Sequence, residues 1–280
     1  MKVGVGPTFQ TPTDSWPAIR AMAERADEGP FSSFASLDRL AYDSYEAIAT
    51  LAAVAAVTRR IRLMTAVLVS PLRNAGVLAK QAATIDAISG GRLTLGLAVG
   101  SRQDDSLIAP AGFHDRGSRF STQLDEMRRI WSGEKLEGAT YAVGPAPVQA
   151  NGPELLLGGT ADRAIDRVGR FADGYVMGGR ASDPEWVRGI MARVQDAWAK
   201  HGRLGVPWFI ATLPCAFGRD AQQQVEESIA HYYGGRPSEG TDRQARPSPT
   251  SVEAVREIIA IHTELGTDEI IFRPAKLGAD

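Results

Sequence analysis

Short apolar runs alternate with longer amphipathic stretches along the whole chain. Runs such as 61–69, which holds mainly Ile, Leu, Met and Val, are typical of strands that are buried on both faces. The stretches between them repeat apolar residues at helical spacing, as Leu78, Ala82 and Ile85 do. The pattern therefore predicts strands and helices in alternation. The predicted strands are 2–6, 31–36, 61–69, 92–99, 155–157, 174–177, 208–213 and 269–272.

Helix boundaries are predicted from capping residues, glycines and prolines. We expect Asp14 to cap the first helix and Thr160 to cap the helix after the fifth strand. Thr250 and Glu253 should form a capping box for the last helix. The Gly- and Pro-rich stretch 234–249 is expected to be a mobile surface loop. The predicted helices are 16–28, 44–59, 74–89, a segment up to 131 that begins after Gly117, 161–171, 183–201, 221–232, and one from 250 to a stop at Gly266.

Eight strand and helix repeats favour one closed (β/α)8 TIM barrel over an open, doubly wound sheet. A length of 280 residues suits a single domain over 1–280, although two small domains fit the length alone. The chain ends soon after the eighth strand, so we expect a truncated last helix. A second subunit would cover the edge left there, which predicts a homodimer. Its expected contact surface is the second and third helices, which are rich in Ala and Leu.

Composition excludes several classes of function. Hydrophobic residues make up 44% of the chain and charged residues 23%, as in globular proteins generally. The 31 basic and 33 acidic residues give a net charge of -2, so no nucleic-acid partner is expected. Cys215 is the only cysteine and the four histidines form no metal motif, so we predict neither a disulfide nor a metal. The chain has no signal peptide pattern and no apolar run of about 18 residues, which predicts a cytoplasmic protein without a membrane segment.

The segment 61–100 closely resembles the central signature of the bacterial luciferase-like oxidoreductases. It reads IRLMTAVLVSPLRNAGVLAKQAATIDAISGGRLTLGLAVG. Shorter matches occur in the same order along the chain: SLDRL at 36–40, DRGSRF at 115–120, MRRIW at 127–131 and LLLGGTADRAIDRVGRFADGYVMGG at 155–179. Members of this superfamily use FMN or the deazaflavin F420. The resemblance therefore implies a luciferase-like TIM barrel over nearly the whole chain.

The same resemblance implies three hypotheses about function. The first is a flavin-dependent monooxygenase that uses reduced FMN and oxygen on a small organic substrate. The second is an F420-dependent oxidoreductase that transfers hydride. The third, from a different class, is a catalytically silent flavin-binding barrel. A separate flavin or F420 reductase would be a partner if the cofactor is reduced elsewhere.

Two glycine turns are the predicted phosphate site of the cofactor. Gly158, Gly159 and Thr160 follow the fifth strand, where backbone N–H groups can approach a phosphate closely and the next helix offers its positive end. Gly178 and Gly179 follow the neighbouring strand, with Arg180 beside them. The alternative is that the glycines only make tight turns.

The flat wall for the cofactor ring is predicted on the third strand, at Thr65, Ala66 and Val67. The resemblance implies a non-prolyl cis peptide between Ala66 and Val67, whereas an ordinary buried strand explains the composition equally well. Gly100 and Ser101, after the fourth strand, are further predicted cofactor positions.

Asp38 and Arg39 are the predicted catalytic residues. Asp38 matches a position where F420-dependent relatives often carry an acid, but the histidine that can follow it is Arg39 here. Asp38 could hold a transferable proton, with Arg39 or a substrate group as its partner. The alternative is a salt bridge at the barrel rim. Thr8, Arg116 and Arg273 are the predicted substrate-binding residues, since they lie at strand ends or in an overhanging loop. We expect Trp131, Trp186, Trp198 and Cys215 to be packing residues.

Overall fold

The chain forms a closed barrel of eight parallel strands, as predicted. The computed structural model describes residues 1–7, 15–109, 111–233 and 248–276. The strands are β1 (Lys2–Val5), β2 (Ser33–Ser36), β3 (Arg62–Val69), β4 (Leu93–Ala98), β5 (Glu154–Leu157), β6 (Gly174–Met177), β7 (Trp208–Cys215) and β8 (Glu269–Pro274). Each strand pairs with the next, and β1 pairs with β8 to close the ring. The TIM-barrel prediction is therefore confirmed.

Helices of the described chain connect the strands. They are α1 (Trp16–Glu28), α2 (Ala47–Val57), α3 (Ala75–Ser89), the short α4 (Asp105–Ile108), α5 (Arg116–Trp131), α6 (Asp162–Phe171), α7 (Pro184–Lys200), α8 (Ala221–Tyr233) and α9 (Val252–Leu265). Residues 70–72 form one turn of 3-10 helix. The prediction of a truncated last helix concerns the end of the chain, where 277–280 lie outside the described residues.

Several predicted helix starts are wrong by one or more residues. Helix α5 begins at Arg116, because Gly117 is tolerated in the first turn. Thr160 does not cap α6, which begins at Asp162 after Ala161. The cap of α9 is Ser251, whose hydroxyl accepts from the Ala254 amide at 3.1 Å, instead of the predicted Thr250. Asp14 and positions 234–247 of the predicted mobile loop lie outside the described residues.

The core has two layers. Inside the barrel, apolar side chains of alternate strand positions fill the lumen, and they are Ala35, Met64, Ala66, Leu156, Val176, Ile210 and Ile271. A larger apolar layer lies between the barrel and its helices. Gly96 on β4 shows how closely the strands approach, since a Cβ there would lie 2.1 Å from the Thr65 carbonyl oxygen. At this point the register between β3 and β4 shifts, between Thr65 and Leu68.

Helix α8 crosses the mouth of the barrel. Near its start, Ala221 and Val225 pack with Ala216 and Ala275, which follow β7 and β8, in a small cluster apart from the main core. At its end, the Tyr232 carbonyl accepts hydrogen bonds from two arginines that follow β2 and β4. These strands lie three places from β7 on either side of the ring. The helix therefore spans from one rim to the other, and we call α8 the roof helix.

Candidate active site

A cavity of about 330 Å³ lies at the carboxyl ends of the strands, beneath the roof helix. This is the end of a TIM barrel where reactive groups are found. Its described lining is mainly apolar, with several hydroxyl groups, and none of these side chains carries a formal charge. The lining residues are Leu37, Ala66, Val67, Ala98, Gly158, Gly159, Thr160, Tyr175, Val176, Gly178, Gly179, Ser182, Trp186, Thr212, Leu213, Pro214, Ile229, Tyr232, Tyr233 and Ser248.

Most of the predicted cofactor positions come together in this lining. Those that line the cavity are Ala66, Val67, Gly158, Gly159, Thr160, Gly178 and Gly179. Three predicted positions lie outside it. The Thr65 hydroxyl is buried and donates to the Gly96 carbonyl at 2.8 Å. Gly100 packs against the Val69 side chain, and Ser101 is exposed.

The two glycine turns lie side by side because β5 pairs with β6. Gly159 has a φ of +124° and Gly179 a φ of +64°, both in the region that favours glycine. The Tyr175 hydroxyl donates to the Gly159 carbonyl at 3.0 Å, and Arg193 of α7 donates to the Thr160 carbonyl at 2.9 Å. The turn's carbonyl groups are thus engaged by the protein. The first N–H groups of α6, which follow at once, have no partner inside a helix.

These turns form what we call the glycine corner, 158–160 and 178–179. The N-terminal end of α6 brings the positive end of the helix dipole to it, and Arg193 lies beside it in an ion pair with Asp162 at 2.8 Å. Arg180 lies at the same corner, where its guanidinium bonds the Asp183 carboxylate at 2.8 Å. The corner therefore offers backbone donors at a helix N-terminus, which suits an anionic group.

The strand β3 supplies a wall beside this corner, since a Cβ at Gly158 would lie 3.6 Å from the Val67 side chain. The peptide between Ala66 and Val67 is cis, as predicted. The Ala66 carbonyl accepts a hydrogen bond from the Arg273 Nη2 at 2.9 Å, and Arg273 Nη1 donates to the Ala35 carbonyl at 3.3 Å. These bonds join β3 to β2 and β8 immediately behind the cavity wall.

Arg273 does not fit its predicted role in binding substrate. It belongs to β8 instead of following it, and its side chain is fully buried beneath the cavity floor. Burial lowers the pKa of Arg273 to about 10, so the guanidinium stays charged at neutral pH. Its hydrogen bonds to two main-chain carbonyls show that it positions the wall.

Asp38 lies behind the cavity in a buried ion pair. Its carboxylate oxygens accept from the two terminal nitrogens of Arg73 at 2.7 and 2.8 Å, and from the Val69 amide at 2.9 Å. The prediction that Arg39 is the partner of Asp38 is therefore wrong. Arg73 lies in the turn after β3, 35 residues from Asp38 in the chain. A pair so far apart in sequence cannot be recognised from a local pattern. Burial raises the pKa of Asp38, although Arg73 and the Val69 amide oppose that effect.

Arg39 holds the roof helix. Its guanidinium bonds Asp105 at 2.8 Å and Asp104 at 3.2 Å, and donates to the Tyr232 carbonyl at 3.3 Å. The same group lies 5.3 Å from the Tyr42 ring centroid and 5.4 Å from the Tyr232 ring centroid. Arg39 is buried and is not part of the described cavity lining. Arg39 therefore makes a salt bridge at the barrel rim, but its partners are Asp104 and Asp105 in the connection after β4, and the expected pair with Asp38 does not form.

Arg116 lies outside the described cavity lining as well. Its Nε donates to the Gly100 carbonyl at 3.1 Å, and its guanidinium stacks 3.8 Å from the centroid of the Phe113 ring. Both contacts order the loop between β4 and α5. A role in binding substrate has no support from this placement. The remaining predicted substrate residue, Thr8, lies outside the described residues.

Aromatic residues of two helices line the cavity, and sequence reasoning missed them. Trp186 was expected to pack in a helix, but it stands in the first turn of α7, which faces the mouth. Tyr232 and Tyr233 end the roof helix, whose path over the mouth has no signature in the sequence. By contrast, Trp131 and Trp198 are buried packing residues as predicted. Cys215 is buried too, and burial raises its pKa to about 12.

His262 of α9 supports the segment that leads from the glycine corner into α7. Its Nε2 lies 2.9 Å from the Ala181 carbonyl, which can only accept, so Nε2 carries the proton. Its Nδ1 then accepts from the Thr267 hydroxyl at 2.9 Å. The buried ring is therefore neutral, and burial lowers the pKa of His262 below the ordinary value of 6.5.

This arrangement predicts a pH-dependent stability. Between the lowered pKa and pH 6.5, the unfolded chain binds more protons at position 262 than the folded chain does. Above pH 6.5 the free energy of unfolding should therefore be independent of the protonation of His262. Below pH 6.5 it should fall as the pH is lowered. Chemical denaturation at several pH values, with His262→Gln for comparison, measures the effect. If the free energy of unfolding of His262→Gln depends on pH as steeply as that of the unmodified protein, the prediction is wrong.

Neither a membrane segment nor a metal cluster is found in the described part of the chain. No helix there is long and apolar enough to cross a bilayer. The same residues contain no group of three or more His, Cys, Asp or Glu side chains arranged to hold a metal ion.

Comparisons with known proteins identify relatives along the whole chain. The profile of the luciferase-like monooxygenase family matches residues 1–276. An uncharacterized protein of Mycobacterium tuberculosis is 30% identical in an alignment of 200 residues that covers 68% of this chain and 68% of that protein. The FMNH(2)-dependent dimethylsulfone monooxygenase of Pseudomonas putida is 28% identical in an alignment of 183 residues that covers 62% of this chain and 49% of that enzyme.

Solved structures share the fold over nearly the full length. The monooxygenase RslO1 from Streptomyces bottropensis has a TM-score of 0.80 at 21% identity, covering 99% of this chain and 94% of that one. An F420-dependent secondary alcohol dehydrogenase, solved with an F420-acetone adduct, has a TM-score of 0.78 at 15% identity, covering 98% and 93%. At such identities the likeness establishes the barrel architecture alone.

Proposed function

Because the chain belongs to the luciferase-like monooxygenase family, whose members are oxidoreductases, we propose that it is a monooxygenase that uses reduced FMN and oxygen on a small organic substrate. The observation that carries this proposal is the pairing of a glycine corner with an apolar wall inside one uncharged cavity. FMN needs a site of this kind: donors for its phosphate, a flat apolar surface for its ring, and polar groups for the ring edge.

The residues present fit FMN. The glycine corner would hold the phosphate, since its backbone N–H groups and the start of α6 are donors. Ala66 and Val67 would support the ring, and Arg273 fixes their position from behind. The hydroxyl groups of Ser182 and Thr212 line the same cavity and can bond polar atoms. Bound reduced FMN would supply the electrons that activate oxygen.

The chain's own contribution is to bind, orient and exclude water. The roof helix covers part of the cavity, which limits the access of water to the wall on β3. No carboxylate, imidazole, amine or guanidinium lies among the described lining residues, so the polar side chains that a bound substrate would meet are hydroxyl groups, such as those of Thr160 and Ser182. Asp38 and Arg39, which the sequence suggested for catalysis, act from behind this surface as positioning residues.

F420-dependent hydride transfer is the second candidate function. The structural likeness to an F420-dependent alcohol dehydrogenase supports it, and the cavity lining does not discriminate between the two cofactor rings. A purely flavin-binding barrel without turnover is the third. All three predict that the glycine corner binds a cofactor phosphate.

Anaerobic titrations of the purified protein with FMN, reduced FMN and F420 test the proposal. Tight binding of reduced FMN, followed on mixing with air by reoxidation of the bound cofactor at a rate different from that of free reduced FMN, is the expected result. Saturable binding of F420 without binding of either FMN form would overturn the FMN assignment in favour of hydride transfer. Cofactor binding without turnover on a broad substrate panel would support the silent barrel.

A homodimer is part of the proposal. Val77 and Ile88 of α3 are each 55% exposed and lie three helical turns apart, so they share one face. The neighbouring α2 is almost wholly Ala, Val, Leu and Ile, with Ala49 and Ala56 exposed. A stable interface needs roughly 1,000 Å² or more of buried surface, which two apolar helices can provide. We further propose that the protein is cytoplasmic and that a separate reductase supplies its reduced FMN.

We expect light scattering at micromolar concentration to give the mass of two chains. The double variant Val77→Asp, Ile88→Asp should be monomeric, because it places two charges on the apolar face. Leu204→Asp, at a 94% exposed position before β7, is the matched control and should stay dimeric. A monomeric unmodified protein would refute the dimer.

A further inference from the structure

The roof helix supplies one part of the cavity lining. Ile229, Tyr232 and Tyr233 of this helix line the cavity, and Leu213 and Pro214 at the end of β7 lie beside them in the same lining. Two of these five side chains are aromatic and the others are apolar. This surface is richer in rings than the wall on β3, where small residues lie.

The aromatic surface is held in place from outside. The Tyr232 carbonyl accepts from Arg39 at 3.3 Å and from Arg102 at 3.5 Å. The Tyr232 ring lies edge to face with Tyr42 at 5.8 Å and with Tyr233 at 4.9 Å, between ring centroids. Arg39 is fixed in turn by Asp105. Such anchoring lowers the entropy cost of ligand binding, because the rings are ordered beforehand.

The charges of this region are kept off the cavity. Arg39 and Arg102 bond Asp104 or Asp105 and are absent from the described lining. An ionised ligand in the cavity would lose its hydration without gaining a charged partner among the described lining residues, which is costly. A neutral ligand carries no such cost. Aromatic rings add an edge or stacking contact to a planar ligand beyond its buried area.

We propose that the organic substrate is an uncharged, planar aromatic compound that binds under the roof helix against Tyr232 and Tyr233. The inference rests on the proposed function, because it takes the glycine corner and the wall on β3 as the cofactor's part of the cavity. It goes beyond that function in naming a substrate class. By the same argument, aliphatic and ionised compounds of the same size should bind more weakly.

Three probes with the same fused bicyclic ring system test the proposal on FMN-loaded protein. They are 2-naphthol, which is neutral and aromatic, 2-naphthoate, which is aromatic and ionised, and decahydro-2-naphthol, which is neutral and not aromatic. Calorimetric titration at neutral pH should show 2-naphthol binding about tenfold more tightly than either of the others. Equal binding of the carboxylate overturns the uncharged class, and equal binding of the saturated alcohol overturns the aromatic class.

Substitutions of Tyr233 test whether 2-naphthol binds against the roof helix. Tyr233→Leu should reduce the 2-naphthol affinity about tenfold, whereas Tyr233→Phe keeps the ring and should restore it. Tyr141→Leu, at an 82% exposed position, is the control and should change nothing. Unchanged affinity in Tyr233→Leu overturns the proposed location, as does displacement of 2-naphthol by excess FMN.

The FMN titration separates this inference from the proposed function. FMN affinity should stay within about threefold in all three tyrosine variants, because none of them belongs to the glycine corner or the β3 wall. If FMN fails to bind even the unmodified protein, the proposed function falls. In that case, the same probes on cofactor-free protein still decide whether the roof helix prefers neutral aromatic ligands.

Discussion

Replacing Gly159 with valine is expected to weaken the binding of FMN at least about tenfold, or about 1.4 kcal/mol. Gly159 has a φ of +124°, which an L side chain rarely adopts, and a Cβ there would lie 2.9 Å from the Ala164 Cβ of α6. The turn would have to move, and with it the Gly159 carbonyl that Tyr175 holds at 3.0 Å. The N–H groups of the glycine corner would then lose their common direction toward the phosphate.

The control for this variant is Gly205→Val. Gly205 has a φ of +73° in the loop before β7, and a Cβ there meets no atom within 4 Å. It carries a backbone cost of the same kind at the opposite end of the barrel, so FMN affinity should be unchanged. Fluorescence titration of FMN, with circular dichroism to confirm folding, makes the comparison. A folded Gly159→Val protein with normal FMN affinity would remove the phosphate from this corner.

The fold could be predicted because its signals are local and repeated. The apolar run of β3 and the helical spacing of Leu78, Ala82 and Ile85 in α3 each identify an element without knowledge of the others. Eight such alternations leave the barrel as the favoured arrangement. Cap positions are harder to predict than the helices themselves. Thr250 and Ser251 are neighbouring residues that both make good caps, and only the backbone geometry selects Ser251.

The cavity could be predicted where its residues follow a strand directly. Gly158 and Gly178 stand at strand ends, so barrel geometry alone brings them to one rim. Arg273 and Asp38 also stand near strand ends, but their side chains turn into the barrel wall and bond neighbours distant in sequence. Tyr232 reaches the cavity only because the roof helix crosses the mouth. Tertiary paths of this kind leave no periodic signal.

Asp38 illustrates the difference between a positioning residue and a proton donor. Its side chain is 1% exposed, and three donors surround its two oxygens, so no oxygen is directed at the cavity. The Val69 amide, which donates a hydrogen bond to Asp38, lies two residues beyond Val67, at the end of the cavity wall. The carboxylate therefore ties the turn after β2 to the end of β3 through Arg73. Loss of its charge should disturb stability first and the wall second.

Asp38→Asn is expected to lower the free energy of unfolding by about 3 kcal/mol, because it leaves the Arg73 guanidinium with only the exposed Glu46 as an ionic partner within the described chain. Urea denaturation measures this change. Glu46→Gln, which alters the 42% exposed partner of the same arginine, should cost about 1 kcal/mol or less. Arg73→Met should match Asp38→Asn, since it breaks the same buried pair from the other side.

The decisive measurement compares this stability loss with oxygen consumption by the surviving folded enzyme. A positioning residue predicts that Asp38→Asn and Arg73→Met bind reduced FMN a few-fold more weakly, and that both consume oxygen at nearly normal rates when the protein is in excess over reduced FMN, so that no free cofactor reacts. The two variants should agree because they loosen the same turn. A proton donor predicts the reverse: normal stability, normal binding, and a rate about 10² lower in Asp38→Asn alone. That second pattern would return Asp38 to the catalytic role that its sequence position suggested.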